Sequence, residues 1–135
     1  MALMDWQETL SVGVPTIDTE HKKLVSLLND LHTAMREGKS KEAMGVVLNG
    51  LITYTATHFG TEEKLMTKHA YPAYAEHKKQ HDDLVKQALD VKAAFEAGKT
   101  GVNMELMTFL KDWVQTHIVG TDKKLGTYLT SMGVK

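Results

Sequence analysis

His58 and Glu62 stand four residues apart in this chain, and so do His77 and His81. On an α-helix that spacing places two side chains on one face, a turn apart, so each pair can grip a metal ion from one side. His21 and His117 lie in other segments of helical periodicity, and Asp122 follows five residues after His117. One His-x-x-x-His is a weak signal in a chain with seven histidines. Seven donors on core-facing stripes are a stronger one, because burying unpaired polar groups costs several kcal/mol each and ordinary packing avoids it.

The chain has no cysteine, which excludes disulfides, thiolate sites and thiol nucleophiles and leaves imidazole and carboxylate as the strong ligands. Seven protein ligands are too many for one tetrahedral zinc ion. They suit two adjacent octahedral ions that share bridging carboxylates and a solvent-derived bridge, with one position open. Five imidazoles and two carboxylates favour iron. Oxygen-activating di-iron proteins carry more glutamates in a Glu-x-x-His spacing, which does not occur here; a neutral, histidine-rich shell fits reversible binding instead.

The elements that must position these groups follow from periodicity and stop signals. Residues 1–17 read as an irregular arm whose Trp6, Val12, Val14 and Ile17 pack onto a bundle, since Gly13 and Pro15 interrupt helix. A first helix is expected after the N-cap Asp18 to about Glu37, with His21, Leu24, Val25, Leu28, His32 and Met35 inward. A second runs from after Ser40 to about Lys68, and a third begins with Pro72 in its first turn and ends at Gly98. Asn103 is the expected cap of a fourth, with Leu106, Leu110, Trp113, Val114 and His117 inward. His117 and Asp122, five apart, diverge by about 140° on a regular helix. They share one site only if the helix is broken or bulged between them, and Gly120 marks the place. A short helical tail then carries Leu125, Tyr128 and Leu129. The predicted fold is all-α: one domain over 1–135, an antiparallel up-down four-helix bundle over 18–135 with an N-terminal arm and a C-terminal helical tail.

Composition narrows the partners. Sixteen basic and 17 acidic residues nearly cancel, so no basic field points to nucleic acid, and no apolar run approaches the ~20 residues of a membrane span. The first ten residues lack a secretory pattern, and a cytoplasmic monomer is expected. His32 lies eleven residues beyond His21, about 16 Å along the axis, and reads as structural. His69 reads as a solvated loop residue, Glu63 as adjoining Glu62 but facing another direction on the helix, the lysine pairs as solvated faces, and Met35, Met44, Met66, Met104 and Met107 as core filler.

Several stretches carry a family resemblance: Trp6, Val12-Gly13-Val14, Ile17-Asp18-Thr19-Glu20-His21-Lys22, His58-Phe59-Gly60-Thr61-Glu62-Glu63, His77-Lys78-Lys79-Gln80-His81, and Trp113 through Lys123. Over essentially its whole length the chain resembles the hemerythrins, in particular the single-domain bacteriohemerythrins. The resemblance implies two non-haem iron ions with a bridging oxo or hydroxo group. His77, His81 and His117 would hold one and His21 and His58 the other, with Glu62 and Asp122 bridging. It implies no enzyme but reversible dioxygen binding at the two-histidine iron, for storage or delivery to an oxygen-consuming enzyme; oxygen or nitric oxide sensing and di-iron oxidase or peroxidase chemistry are the alternatives. Leu24, Phe59, Trp113 and Ile118 would form the apolar oxygen pocket. Gly120 stands where some members have a bulky apolar residue, which implies a more open pocket and faster autoxidation.

Overall fold

The computed structural model describes residues 4–98 and 104–134. A short 3-10 turn, Glu8–Leu10, precedes α1 (Pro15–Arg36), α2 (Lys41–Lys68), α3 (Tyr74–Glu96) and α4 (Met104–Thr116); a π-helical segment, His117–Asp122, then leads without a break into α5 (Lys123–Ser131). No strand occurs among the described residues. The result is an all-α four-helix bundle with an additional C-terminal helix. Neighbours run antiparallel: His21 near the start of α1 and His77 near the start of α3 both meet Glu62 near the end of α2.

Local chemistry explains the helix ends. Ser40 caps α2 as predicted, its Oγ accepting from the Ala43 N–H at 3.2 Å. Gly38 and Gly98, just past α1 and α3, have φ of +65° and +74°, a left-handed turn that side-chain-bearing residues resist.

Two boundaries differ from the sequence reading. α1 starts at Pro15 rather than after Asp18, so Ile17 belongs to the helix and not to the arm. Proline suits the first helical position because its missing N–H would have no intrahelical partner. Asp18, one turn inside, reaches back to accept from the Val12 N–H (2.8 Å) and the Ser11 hydroxyl (2.5 Å), so it ties the arm to α1 instead of capping from outside. Pro72 precedes α3 rather than opening it. It occupies a tight turn in which the Tyr74 N–H donates to the Tyr71 carbonyl at 3.1 Å, and proline's fixed φ suits the second residue of such a turn. The expected cap Asn103 lies outside the described residues.

The core is one apolar cluster in which Leu28 and Leu31 of α1, Leu48 and Leu51 of α2, Phe95 of α3, Met107 and Val114 of α4, and Leu125 and Leu129 of α5 are buried. Each fully buried aliphatic side chain of this kind contributes about 1.5–3 kcal/mol. The arm crosses α5 closely, burying Val12 and Val14; a Cβ at Gly126 would collide with the Val12 carbonyl. Tyr128 of α5 donates its hydroxyl to the His69 carbonyl at 2.6 Å, fastening the turn between α2 and α3. His69 lies in that turn, as expected, as the C-cap of α2, but it is half-buried rather than fully solvated. Among the described residues, no helix is long and apolar enough to cross a membrane.

Candidate metal centre

All seven residues singled out by type and spacing meet at one end of the bundle, each buried. α1 brings His21, α2 His58 and Glu62, α3 His77 and His81. The last two come from the π-helical segment, whose first residue is His117 and last is Asp122. A π turn bonds residue i to i+5 rather than i+4, so residues five apart align instead of diverging. His117 Nε2 accordingly lies 3.0 Å from Asp122 Oδ1.

The two carboxylates divide their oxygens between two groups of imidazoles. Glu62 Oε2 faces Nε2 of His21 and His58 at 3.4 and 3.2 Å, and its Oε1 faces Nε2 of His77 and His81 at 3.3 and 3.0 Å. Asp122 Oδ2 faces His21 at 2.9 Å, and its Oδ1 faces His77 and His117, both at 3.0 Å. Two clusters of potential ligand atoms result: His21 and His58 with the carboxylates, and His77, His81 and His117 with the same carboxylates.

These atoms approach one another without hydrogen-bond alignment. All five histidine Nε2 atoms and all four carboxylate oxygens are buried and lack a hydrogen-bond partner. Orphaned atoms in such number are costly in a protein interior unless something else binds them. Bridging carboxylates between imidazole groups are a donor set suited to a pair of divalent ions, so the residues present fit the metal that their pattern implies.

Electrostatics agree. Burial alone would lower the basicity of His21 and His77, but the carboxylates of Asp122 and Glu62 close beside them overcome it and raise both to about 9. His58 is raised for the same reason, chiefly by Glu62. Burial would push the carboxyls up, yet the surrounding imidazoles hold both Glu62 and Asp122 well below the usual range. By itself the protein therefore gathers positive charge where a cation would bind.

Aromatic rings pack against this polar nest. Phe59 stacks on His81 with ring centroids 3.9 Å apart and planes 4° from parallel, Trp113 stacks on His117 at 4.9 Å, and Phe59 meets Trp113 edge-on. Leu24, Phe59 and Ile118 are buried, while Trp113 is half-buried. His32 is also buried but stands apart from the cluster.

One sequence expectation needs correction. Gly120 is exposed, beside Asp112, Gln115, Thr116 and Val119 in a surface hollow, and a Cβ there would meet nothing within 4 Å; it does not border the buried centre. Glu63 faces another direction from Glu62, as expected, and that direction brings its carboxylate 3.2 Å from His81 Nδ1. Sequence reasoning also missed Glu20, whose Oε1 is 2.6 Å from His58 Nδ1. The available signal was that each of these glutamates directly adjoins a ligand-type residue, His21 or Glu62, and successive helical residues point about 100° apart.

Residues 12–129 match the hemerythrin HHE cation binding domain. A bacteriohemerythrin of Stenotrophomonas maltophilia is 37% identical over 123 residues, 91% of this chain and 79% of the relative. One from Methylococcus capsulatus is 36% identical over 132 residues, 97% of this chain and 100% of the relative. The crystal structure of a wild-type hemerythrin superposes with a TM-score of 0.91 at 35% identity, covering 96% of this chain and 99% of that one. Shared sequence over nearly the full length and a shared bundle lead to the same conclusion: the chain belongs to the hemerythrin family.

Proposed function

We propose that this protein binds dioxygen reversibly at two non-haem iron ions, as a store or as a carrier that supplies an oxygen-consuming enzyme, and not as an enzyme itself. The observation that carries the reading is the division of oxygens at Glu62 and Asp122, each of which offers one atom to a two-histidine group and one to a three-histidine group. His77, His81 and His117 would hold one ion, His21 and His58 the other, with both carboxylates bridging. One side then has four protein donors and the other five. Were two octahedral ions held there with one shared solvent-derived ligand, the two-histidine side would have one protein donor fewer and so room for a small ligand. A ferrous pair held there would supply the electrons that a reversibly bound dioxygen withdraws.

The residues around the donors suit reversible binding. Leu24, Phe59, Trp113 and Ile118 would supply an apolar pocket that excludes water and the hydrolytic exchange that would discharge the bound gas, and of these Phe59 and Trp113 stack on His81 and His117. The stacking of Phe59 on His81 and Trp113 on His117 restricts ring rotation, so the donors are held in place before anything binds. Dioxygen, small and uncharged, needs no charged entrance, and the chain's near-neutral balance is in keeping with that.

The test is a visible spectrum of protein loaded anaerobically with two ferrous ions per chain, recorded before oxygen, after oxygen, and again under argon. A coloured band that appears with oxygen and fades under argon through repeated cycles is the expected result. Prompt, irreversible conversion to the diferric spectrum would contradict the carrier reading.

A further inference from the structure

Two of the five clustered histidines have an anchored outer nitrogen, and the anchors follow one rule. Glu20, adjacent to His21 on α1, reaches across to His58 on α2, with Oε1 2.6 Å from Nδ1. Glu63, adjacent to Glu62 on α2, reaches across to His81 on α3, with Oε2 3.2 Å from Nδ1. In each case a helix contributes an inward group and, from the neighbouring residue, a carboxylate that holds the next helix's imidazole from behind. By contrast, Nδ1 of His21 and of His77 is buried without a hydrogen-bond partner.

We propose that Glu20 and Glu63 are positioning residues of the metal centre, one for each half: they fix His58 and His81 as Nδ1–H tautomers, with the Nε2 lone pair aimed at the ion. This rests on the two-metal reading above. An imidazole that donates from Nδ1 to a carboxylate has one tautomer and one ring orientation, and its other nitrogen becomes a stronger donor. The atoms are arranged for this, because Nε2 of His58 and of His81 faces Glu62 while Nδ1 faces the outer carboxylate.

The two anchors are unequal. Glu20 makes the shorter contact, and its one ion-pair partner among the described residues is His58. Glu63 is farther from its histidine and also lies 3.8 Å from Lys78, which itself holds Asp82 at 3.0 Å. A cation beside Glu63 withdraws part of its charge from His81, so Glu20 is the stronger of the two. Both carboxylates are only about three-quarters buried, with side-chain exposures of 23% and 24%, so each can be replaced at the surface without opening the core.

Zinc serves as a diamagnetic probe in the full chain. Wild type, Glu20→Gln, Glu63→Gln and Glu20→Ala are titrated with zinc against a chromophoric chelator, and the histidine rings of the loaded proteins are followed by proton–nitrogen correlation NMR. Glutamine can still accept a hydrogen bond but carries no charge. The expected outcome is two zinc ions per wild-type chain, a loss of affinity of about 10–100-fold in Glu20→Gln, a smaller loss in Glu63→Gln, and a larger one in Glu20→Ala. The Nδ1 proton signal of His58 moves upfield in Glu20→Gln and that of His81 in Glu63→Gln, which a merely structural role would not produce. If wild type takes up two ions while the variants match it within twofold and the ring signals stay put, this inference fails and the two-metal reading stands. Wild type taking up fewer than two ions overturns both.

Discussion

The two ends of the bundle are built on opposite principles. At one end Leu31, Ala34, Leu48, Leu51, Phe95 and Met107 fill the axis with apolar groups, and their burial stabilises the fold outright. At the other, five imidazoles and two carboxylates occupy the same axis with their inner atoms unpartnered. Such an end stabilises nothing until a cation or protons bind, so it must be held open by the rest of the molecule. The apolar end, the arm tied down through Asp18, and Tyr128 fastening the turn after α2 do that holding. A preorganised site of this kind lowers stability locally in exchange for ligands that are already in place.

The sharpest way to break this contrast is Glu62→Ala, because Glu62 faces both histidine groups. Metal affinity is expected to fall by more than about 100-fold at both positions, measured as iron bound per chain after desalting, while the helical circular dichroism persists. Loss at one position only would mean that Glu62 does not serve both groups.

Leu31→Ala works on the other end. Leu31 is fully buried, so truncation should cost about 2–5 kcal/mol in urea unfolding yet leave the metal content at two ions per folded chain. A variant that folds but fails to load iron would show that the ends are not separable.

Acidity distinguishes the ends more gently. His21 and His77 rise from 6.5 to about 9 in the folded protein, so the stability they contribute is fully present below about pH 6.5 and is lost as pH climbs through about 9. Protein stripped of metal should lose melting temperature across that window, and metal-loaded protein, whose histidines are already deprotonated, should not. Equal slopes for both forms would contradict the assignment of these protons to the metal end.

The smallest effect belongs to Gly120→Leu. With open space at its Cβ, this exposed position should change stability by no more than about 0.5 kcal/mol and leave the rate of diferric accumulation unaltered. A marked slowing of that rate would place the residue over the oxygen pocket after all.

Most of this architecture is legible in the residues. The four-residue spacings of His58 with Glu62 and of His77 with His81 announce a shared face, and the five-residue gap from His117 to Asp122 demands a bulge, which the π-helical segment supplies. Less visible is anything decided by direction around the helix. Glu63 points about 100° from Glu62, and only the packed structure shows that this direction leads to His81 on the adjacent helix. Gly120 was tied to the pocket by its position along the chain, whereas the wider π turn leaves it at the surface. The start of α1 depended on competition between two good signals, Pro15 and Asp18, and the carboxylate proved more useful one turn inside, where the arm's Val12 N–H needed an acceptor.

The most direct test of the central claim is a crystal structure of the iron-loaded protein with data collected on both sides of the iron absorption edge. Two anomalous peaks are predicted, one against His77, His81 and His117 and one against His21 and His58, with Glu62 and Asp122 between them. A single peak, or iron bound anywhere else on the chain, would contradict the account.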